Sequence, residues 1–304
     1  MPKENNTLFD VIIVGGSYAG LSAAMSLGRA RRSVLVIDAG DPCNKQTPHS
    51  HNFITHDGDV PSDIAALAKS QVEKYDTIKF VNGFANSGSR QDELFTITLK
   101  SGEEFQSKKL LLTTGLKDIM PDIPGFSECW GISILHCPYC HGYEVKDEKI
   151  GILGNGAMGF DLARLIQQWS KDLTLFTNEI ATLSQEERAK LKQHAIPIVE
   201  KEISHFTHEN GHLKDIVFKD TSHESVTAMF ARIPFEQKSN LPQIFGCEIT
   251  DHGFIKIDEM QRTTVPGIYA AGDNSYGMRA VSIVTASGTK AGAVINGELI
   301  GEEF

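Results

Sequence analysis

The sequence has few cysteines, no long apolar run and no basic run. Five cysteines in 304 residues is a small and odd number, which excludes a disulfide-built scaffold. The longest apolar runs, such as Val11–Val14 and Leu110–Leu112, fall far short of the roughly 20 residues of a membrane-spanning helix. The start, Met1-Pro2-Lys3-Glu4-Asn5-Asn6, lacks a charged-then-apolar signal pattern. The formal net charge is −10, so a phosphate backbone is a poor partner. A cytoplasmic protein is expected, with neither nucleic acid nor membrane as partner. Hydrophobic residues at 40% and charged residues at 22% exclude disordered, collagen-like and coiled-coil classes. At about 150 residues per domain the length predicts two domains.

What is present is a βαβ pattern, twice. The apolar strand Val11–Val14 runs into Gly15-Gly16-Ser17-Tyr18-Ala19-Gly20. A helix with Leu21, Ala24, Met25 and Leu27 on one side follows, then a strand Val34–Ile37 ending at Asp38. Ile64, Leu67, Ala68, Val72 and Tyr75 repeat at helical spacing. The stretches 78–81, 94–99 and 109–113 read as a small meander returning to the sheet. The second unit starts at Ile150–Leu153 and runs into Gly154-Asn155-Gly156-Ala157-Met158-Gly159. Leu162, Leu165, Ile166 and Trp169 mark its helix, and 173–177 its second strand. Ser184 and Glu187 form a capping-box pattern, and 216–219 and 226–233 read as strands. Near the end, the strand Gly267–Ala271 leads into Gly272-Asp273, and a small-residue helix spans about 281–299. The fold class is therefore α/β, with two Rossmann-like nucleotide-binding layers, one inserted in the other.

The first glycine turn suits a dinucleotide, because glycine permits a tight turn and the helix N-terminus faces a pyrophosphate. Asp38, 18 residues beyond Gly20, stands where an acid accepts ribose hydroxyls. Ser17 replaces the usual middle glycine. The second turn, with Gly154, Gly156 and Gly159, matches G-x-G-x-x-G more cleanly. The interval from Gly15 to Asp38, counted from Gly154, lands on Thr177, with Asn178 next. No acid for a ribose diol and no arginine for a 2′-phosphate stands there. Either this turn holds a nicotinamide nucleotide weakly, or it is a fold element without a ligand.

Cys137-Pro138-Tyr139-Cys140 carries the strongest chemical signal. Two intervening residues let the sulfurs meet across one helical turn, so a disulfide can open and close, and the pairing lowers one thiol's proton affinity. His136 and His141 flank the pair, and imidazole titrates near pH 6.5, so either can shuttle the thiol proton. The alternatives are a zinc site and a pair of inert buried cysteines. A structural zinc site needs a second ligand pair, and Cys43, Cys129 and Cys247 are scattered singly.

The order of glycine turn, C-x-x-C, second glycine turn and G-I-Y-A-A-G-D resembles the low-molecular-weight thioredoxin reductase family over nearly the whole chain. The resemblance implies two three-layer ββα domains. Residues 1–116 and 245–304 would form a discontinuous FAD-binding domain. Residues 117–244 would form an inserted pyridine-nucleotide domain carrying the cysteine pair. Gly15, Gly16, Ser17, Gly20 and Asp38 would hold the ADP half of FAD. Asn52, Thr114 and Gly115 would sit near the flavin, and Gly272 and Asp273 would meet the ribityl and pyrophosphate groups. Arg279, Ala280 and Val281 would start a helix whose N-terminus stabilises negative charge on reduced flavin. Cys140 would be the flavin-facing sulfur and Cys137 the one that exchanges with a partner. A homodimer is implied as well.

Three departures stand out. The family's H-R-R run for the NADPH 2′-phosphate aligns with Thr177-Asn178-Glu179, and its further arginine with Leu183. His141 replaces the acid after C-x-x-C. The run C-P-Y-C-H-G-Y also resembles the dithiol oxidases of the same superfamily. The expected function is an FAD-dependent thiol–disulfide oxidoreductase whose partner is a thioredoxin-like protein or a small dithiol or disulfide. The nicotinamide donor stays open, since the clamp for NADPH is absent. The alternatives are a dithiol oxidase using oxygen and a non-catalytic flavin redox sensor.

Overall fold

The structure is a computed structural model, and it describes residues 8–304. Residues 1–7, including the Met1–Asn6 stretch read above for a signal, lie outside the described residues. The chain divides into two compact units. One comprises the residues up to Lys45, then Asn52–Lys117 and Phe235–Phe304; the other comprises Gln46–His51 and Asp118–Pro234.

The first unit opens with β1 (Leu8–Val14), α1 (Tyr18–Arg29), β2 (Val34–Asp38), α2 (Pro61–Val72) and β3 (Ile78–Asn82). The strands β3, β2 and β1 lie parallel in that order, with Val11 beside Val34 and Val34 beside Ile78. A meander follows: β4 (Ala85–Gln91), β5 (Leu94–Leu99) and β6 (Glu104–Leu112). β6 serves two layers. Its first half pairs antiparallel with β5, and its second half runs parallel to β1. Period-2 alternation sends successive side chains of β1 to opposite faces. Val11 and Ile13 face α1, in a core with Leu21, Ala24 and Leu27. Ile12 and Val14 face the meander, in a core with Phe95, Ile97 and Leu99. Both faces are covered, as a parallel sheet requires.

The chain leaves this unit through β7 (Leu116–Asp118). The second unit holds α3 (Phe126–Cys129), β8 (Ile134–Leu135), α4 (Pro138–His141), β9 (Ile150–Leu153), α5 (Gly156–Ile166), β10 (Leu173–Phe176), α6 (Gln185–Gln193), β11 (Ile198–Val199), β12 (Ile203–Glu209), β13 (His212–Phe218), β14 (His223–Ser225) and β15 (Ala228–Ala231). A parallel sheet runs β11-β10-β9-β15-β8, and β12-β13-β14 form a separate antiparallel sheet. Ile150 and Ile152 pack with Leu162, Ile166 and Leu191 of α5 and α6. Phe176 and Met229 pack with Phe206, Ile216 and Phe218 of the small sheet. This unit thus repeats the helix, parallel sheet and meander layering. Ser184 caps α6, accepting from the Glu187 amide at 3.2 Å while Glu187 accepts from the Ser184 amide at 2.8 Å.

The chain returns through β16 (Phe235–Gln237), which pairs with β7, then α7 (Leu241–Ile244), β17 (Ile268–Ala270) and α8 (Val281–Glu303). β17 adds to the parallel side of β6, and α8 lies along α1. The return falls at Phe235 and not at the 245 read from the sequence. Leu241 is fully buried in the first unit's core with Phe245 packed against it, so the residues from 235 onward belong there. The outward crossing falls after Lys117 and not after 116, and Gln46–His51 groups with the second unit and not with 1–116.

Candidate active site

At the end of β1, Gly15 adopts φ +112°, a conformation that L side chains rarely take. A Cβ there would lie 2.2 Å from the Thr113 carbonyl oxygen, and a Cβ on Gly20 would lie 1.9 Å from the Gly15 oxygen. Glycine is what lets α1 start this close to the strand. The Thr113 hydroxyl braces the turn by donating to the Gly15 carbonyl at 2.7 Å. The Gly16 amide donates to Asp38 Oδ1 at 3.0 Å, so the acid at the end of β2 is tied to the turn. Ser17 occupies the N-cap of α1 without a side-chain cap bond.

The residues after β17 come to the same unit. Gly272 receives a brace through its amide, which donates to Ser287 Oγ at 3.0 Å. Asp273 Oδ2 lies 3.6 Å from Arg279 Nε and accepts from Cys43 Sγ at 3.7 Å. Ala280 is the N-cap of α8 and Val281 its first residue, as expected from the sequence. Asn274, which the sequence reading passed over, is fully buried. Its Nδ2 donates to the Leu112 carbonyl at 2.9 Å and to Thr114 Oγ1 at 3.4 Å, while its Oδ1 is buried with no hydrogen-bond partner among the described residues. Gly115 has φ +67° beside open space, and Asn52 is exposed with φ +60°. A glycine-walled helix start, a carboxylate at the strand end and an orphaned buried amide oxygen fit the donor and acceptor pattern of a dinucleotide.

In the second unit Cys137 and Cys140 form a disulfide, with Cα atoms 5.3 Å apart. Both residues are half-buried. Cys137 is the N-cap of α4, and its carbonyl accepts from the Cys140 and His141 amides at 3.2 Å each. Proline at the first helical position fixes this turn. Gly142 allows Trp169 to pack beneath, where a Cβ would lie 2.8 Å from the indole. Tyr139, between the cysteines, is exposed and meets Trp169 edge-on at 5.4 Å. His141 is half-buried; burial lowers its proton affinity most, the neighbouring His51 lowers it further, and Glu144 opposes both. His136 packs edge-on against Trp130 at 6.4 Å.

The second glycine turn is filled by its own chain. Asn155 Oδ1 accepts from the Gly156 amide and the Thr182 amide, each at 2.8 Å. Gly159 sits on the Gly154 carbonyl, where a Cβ would come within 2.7 Å. Thr177 is buried and donates to the Glu179 carbonyl at 2.6 Å. Asn178 Oδ1 accepts from the Ile203 amide at 2.6 Å, and Leu183 is buried in the core. None of these four positions presents a cation.

A cysteine pair that closes on itself, in a chain with two glycine-turn units, defines a flavin disulfide oxidoreductase. The pattern of the pyridine nucleotide-disulphide oxidoreductase family matches residues 9–288, and the chain belongs to that family, on its thioredoxin reductase-like branch. It is 31% identical over 310 residues to the thioredoxin reductase tcpT of Claviceps purpurea, covering 98% of this chain and 97% of that one. The solved structure of TrxB from Bacillus anthracis matches with a TM-score of 0.93 at 30% identity, over 97% of this chain and 100% of the other. An oxidoreductase from Agrobacterium tumefaciens matches at 0.91 and 34%, over 97% and 99%. Membership makes the chain an enzyme and implies FAD binding. It also sets aside the redox sensor without turnover.

Proposed function

We propose that Cys137 and Cys140 are the redox-active pair, exchanging two electrons between FAD and a thioredoxin-like protein or a small disulfide. The observation that carries this is the closed Cys137–Cys140 bond at the head of α4, in a chain of this family. In the reductase direction the Cys137 thiolate attacks the partner's disulfide and a mixed disulfide forms. Cys140 then attacks Cys137 Sγ and the partner leaves as a dithiol, so two electrons and two protons pass to it. His141, next to Cys140, holds or returns the thiol proton; His136 is the fallback. When bound, FAD supplies the two-electron exchange with the pair.

Cys140 is assigned to the flavin side and Cys137 to the partner. Gly15, Gly16, Ser17, Gly20 and Asp38 would hold the ADP half, Asn52, Thr114 and Gly115 the flavin surroundings, and Gly272 and Asp273 the ribityl and pyrophosphate groups. Arg279, Ala280 and Val281 bring the start of α8 to the flavin. The first unit is then the FAD unit and the second the nucleotide-type unit. We place the enzyme in the cytoplasm as a homodimer; among the described residues no helix is long and apolar enough to cross a membrane.

A second reading, a dithiol oxidase with oxygen as final acceptor, runs the exchange backward. The internal bonding of Thr177, Asn178 and Asn155 favours it, since it leaves little for a pyridine nucleotide to grip. Anaerobic titration of the flavin-loaded protein with NADPH, NADH and dithiothreitol separates the two. Flavin bleaching by a nucleotide supports the reductase, and bleaching by the dithiol alone, reversed by oxygen, supports the oxidase. A protein that takes up no FAD contradicts both.

A further inference from the structure

The stretch Gln46–His51 packs with the second unit although the chain on either side belongs to the first. Gln46 fastens it, donating from Nε2 to the carbonyls of Ser127 at 3.2 Å and Trp130 at 3.0 Å. At the end of the stretch the His51 ring meets the His141 ring edge to face, with centroids 6.4 Å apart and planes at 88°. His51 Nε2 also lies 3.6 Å from Glu144 Oε1. The sequence gives no hint of this grouping, because His51 and His141 stand 90 positions apart.

We propose that His51 is a positioning residue for the dithiol step: seated beside the Glu144 carboxylate and facing the His141 ring, it disfavours charge on His141 and so keeps that ring ready as the acceptor of the thiol proton. This rests on the roles given above to Cys137, Cys140 and His141. Two imidazolium rings at this separation repel, and burial already disfavours charge on His141. The groups facing His141 are His51 and Glu144, and the His49 ring lies 6.5 Å from that of His51. His136 is turned to Trp130. In the proton step a thiol S–H bond breaks and an N–H bond forms on His141. The products are a thiolate and an imidazolium, the thiolate charge offsetting the positive charge that His51 disfavours, and no electrons leave the site.

The test is a proton NMR titration of the imidazoles in the flavin-loaded protein, with the His141 signal assigned by its loss in His141→Gln. In His51→Gln the His141 midpoint should rise by roughly half a pH unit to two units. The acid limb of the anaerobic reaction with dithiothreitol should move up by the same interval. His51→Arg puts a permanent cation beside Glu144 and should restore the original midpoint. A purely structural role would lower the rate equally at every pH and leave the midpoint in place. An unmoved or lowered midpoint in folded, flavin-retaining His51→Gln overturns the proposal. If that variant does not fold, His51→Asn against His51→Arg gives the same comparison. A wild-type dithiol rate in His141→Ala overturns the role of His141 and this proposal with it. A crippled His141→Ala beside an unmoved midpoint overturns the His51 proposal alone.

Discussion

Asn155 donates from Nδ2 to the Glu179 carboxylate at 3.1 Å, linking the second glycine turn to an acid. The same side chain accepts from the Gly156 and Thr182 amides, so the start of α5 and the loop after β10 are tied through one amide group. The thioredoxin reductase resemblance places cations for a 2′-phosphate along that loop. Here the loop bonds inward and carries a negative charge.

The flavin should therefore be reduced by NADPH poorly, and no faster than by NADH. Charge-assisted contacts to a phosphate contribute about 1.5–3 kcal/mol each, so losing two weakens NADPH by more than about a hundredfold. Stopped-flow absorbance with each nucleotide measures this. Rapid reduction at micromolar NADPH with clear preference over NADH would contradict it.

Cys137→Ser and Cys140→Ser should each abolish disulfide turnover, because one thiol cannot complete the exchange. Both variants should keep FAD, since the cysteines lie outside the residues assigned to it. The check is turnover beside the flavin-to-protein absorbance ratio. Retained turnover in either variant would remove the pair from the mechanism.

His141→Ala should slow the dithiol half-reaction by about 10²-fold with flavin still bound. The pH dependence has a definite sign. Burial, reinforced by His51, lowers the proton affinity of His141 below the ordinary imidazole range. The base form therefore persists to lower pH than in a free imidazole, and the acid limb of the rate should lie below about pH 6.5. A limb at or above that value, lost in His141→Ala, would show that the ring gains a proton more readily than its surroundings dictate.

Gly288→Ala should destabilise the first unit. A Cβ there would sit 2.0 Å from the Ala19 carbonyl oxygen, and neither helix can yield cheaply. Overpacking of this kind costs about 1–3 kcal/mol. Gly297→Ala on the same helix meets nothing within 4 Å, and should stabilise α8 by about 0.5–1 kcal/mol. Thermal unfolding and FAD release, measured on both variants, should move in opposite directions. A common direction would mean that helix propensity, and not the contact with α1, governs this position.

Where hydrophobic periodicity met a special turn, the sequence was legible. β1, β2, β9 and β10 are apolar runs ending at glycine or polar residues, and the capping box at Ser184 forms as its spacing requires. The meander strands were harder. β4 is Ala-Asn-Ser-Gly-Ser-Arg-Gln, with Ala85 alone buried, and backbone pairing to β5 is what makes it a strand. β12 alternates weakly, with His205 and His208 half-buried, and went unread. The run 226–233 read as one strand, yet ladder pairing covers Ala228–Ala231. In the candidate site, the glycines and cysteines announced themselves by spacing. Asn274 did not, although it directly follows Gly272-Asp273, because burial of a single amide leaves no periodic trace. His51 and Glu144 could not be joined to His141 by any local rule.

The pairing of β17 with β6 and of α8 with α1 bears on the order of synthesis. Tyr269 stands beside Leu111, and Gly288 rests on Ala19. As the chain emerges from a ribosome, α1 and the open side of β6 are made early, but their covers are made only after the inserted segment. The segment Asp118–Pro234 has all its strands and helices before either cover exists. The inserted unit can therefore close while the one around it still exposes Leu110, Leu111 and the α8-facing side of α1. Through that interval the apolar surface of the first unit needs protection from aggregation, and release of α8 is the event that ends it.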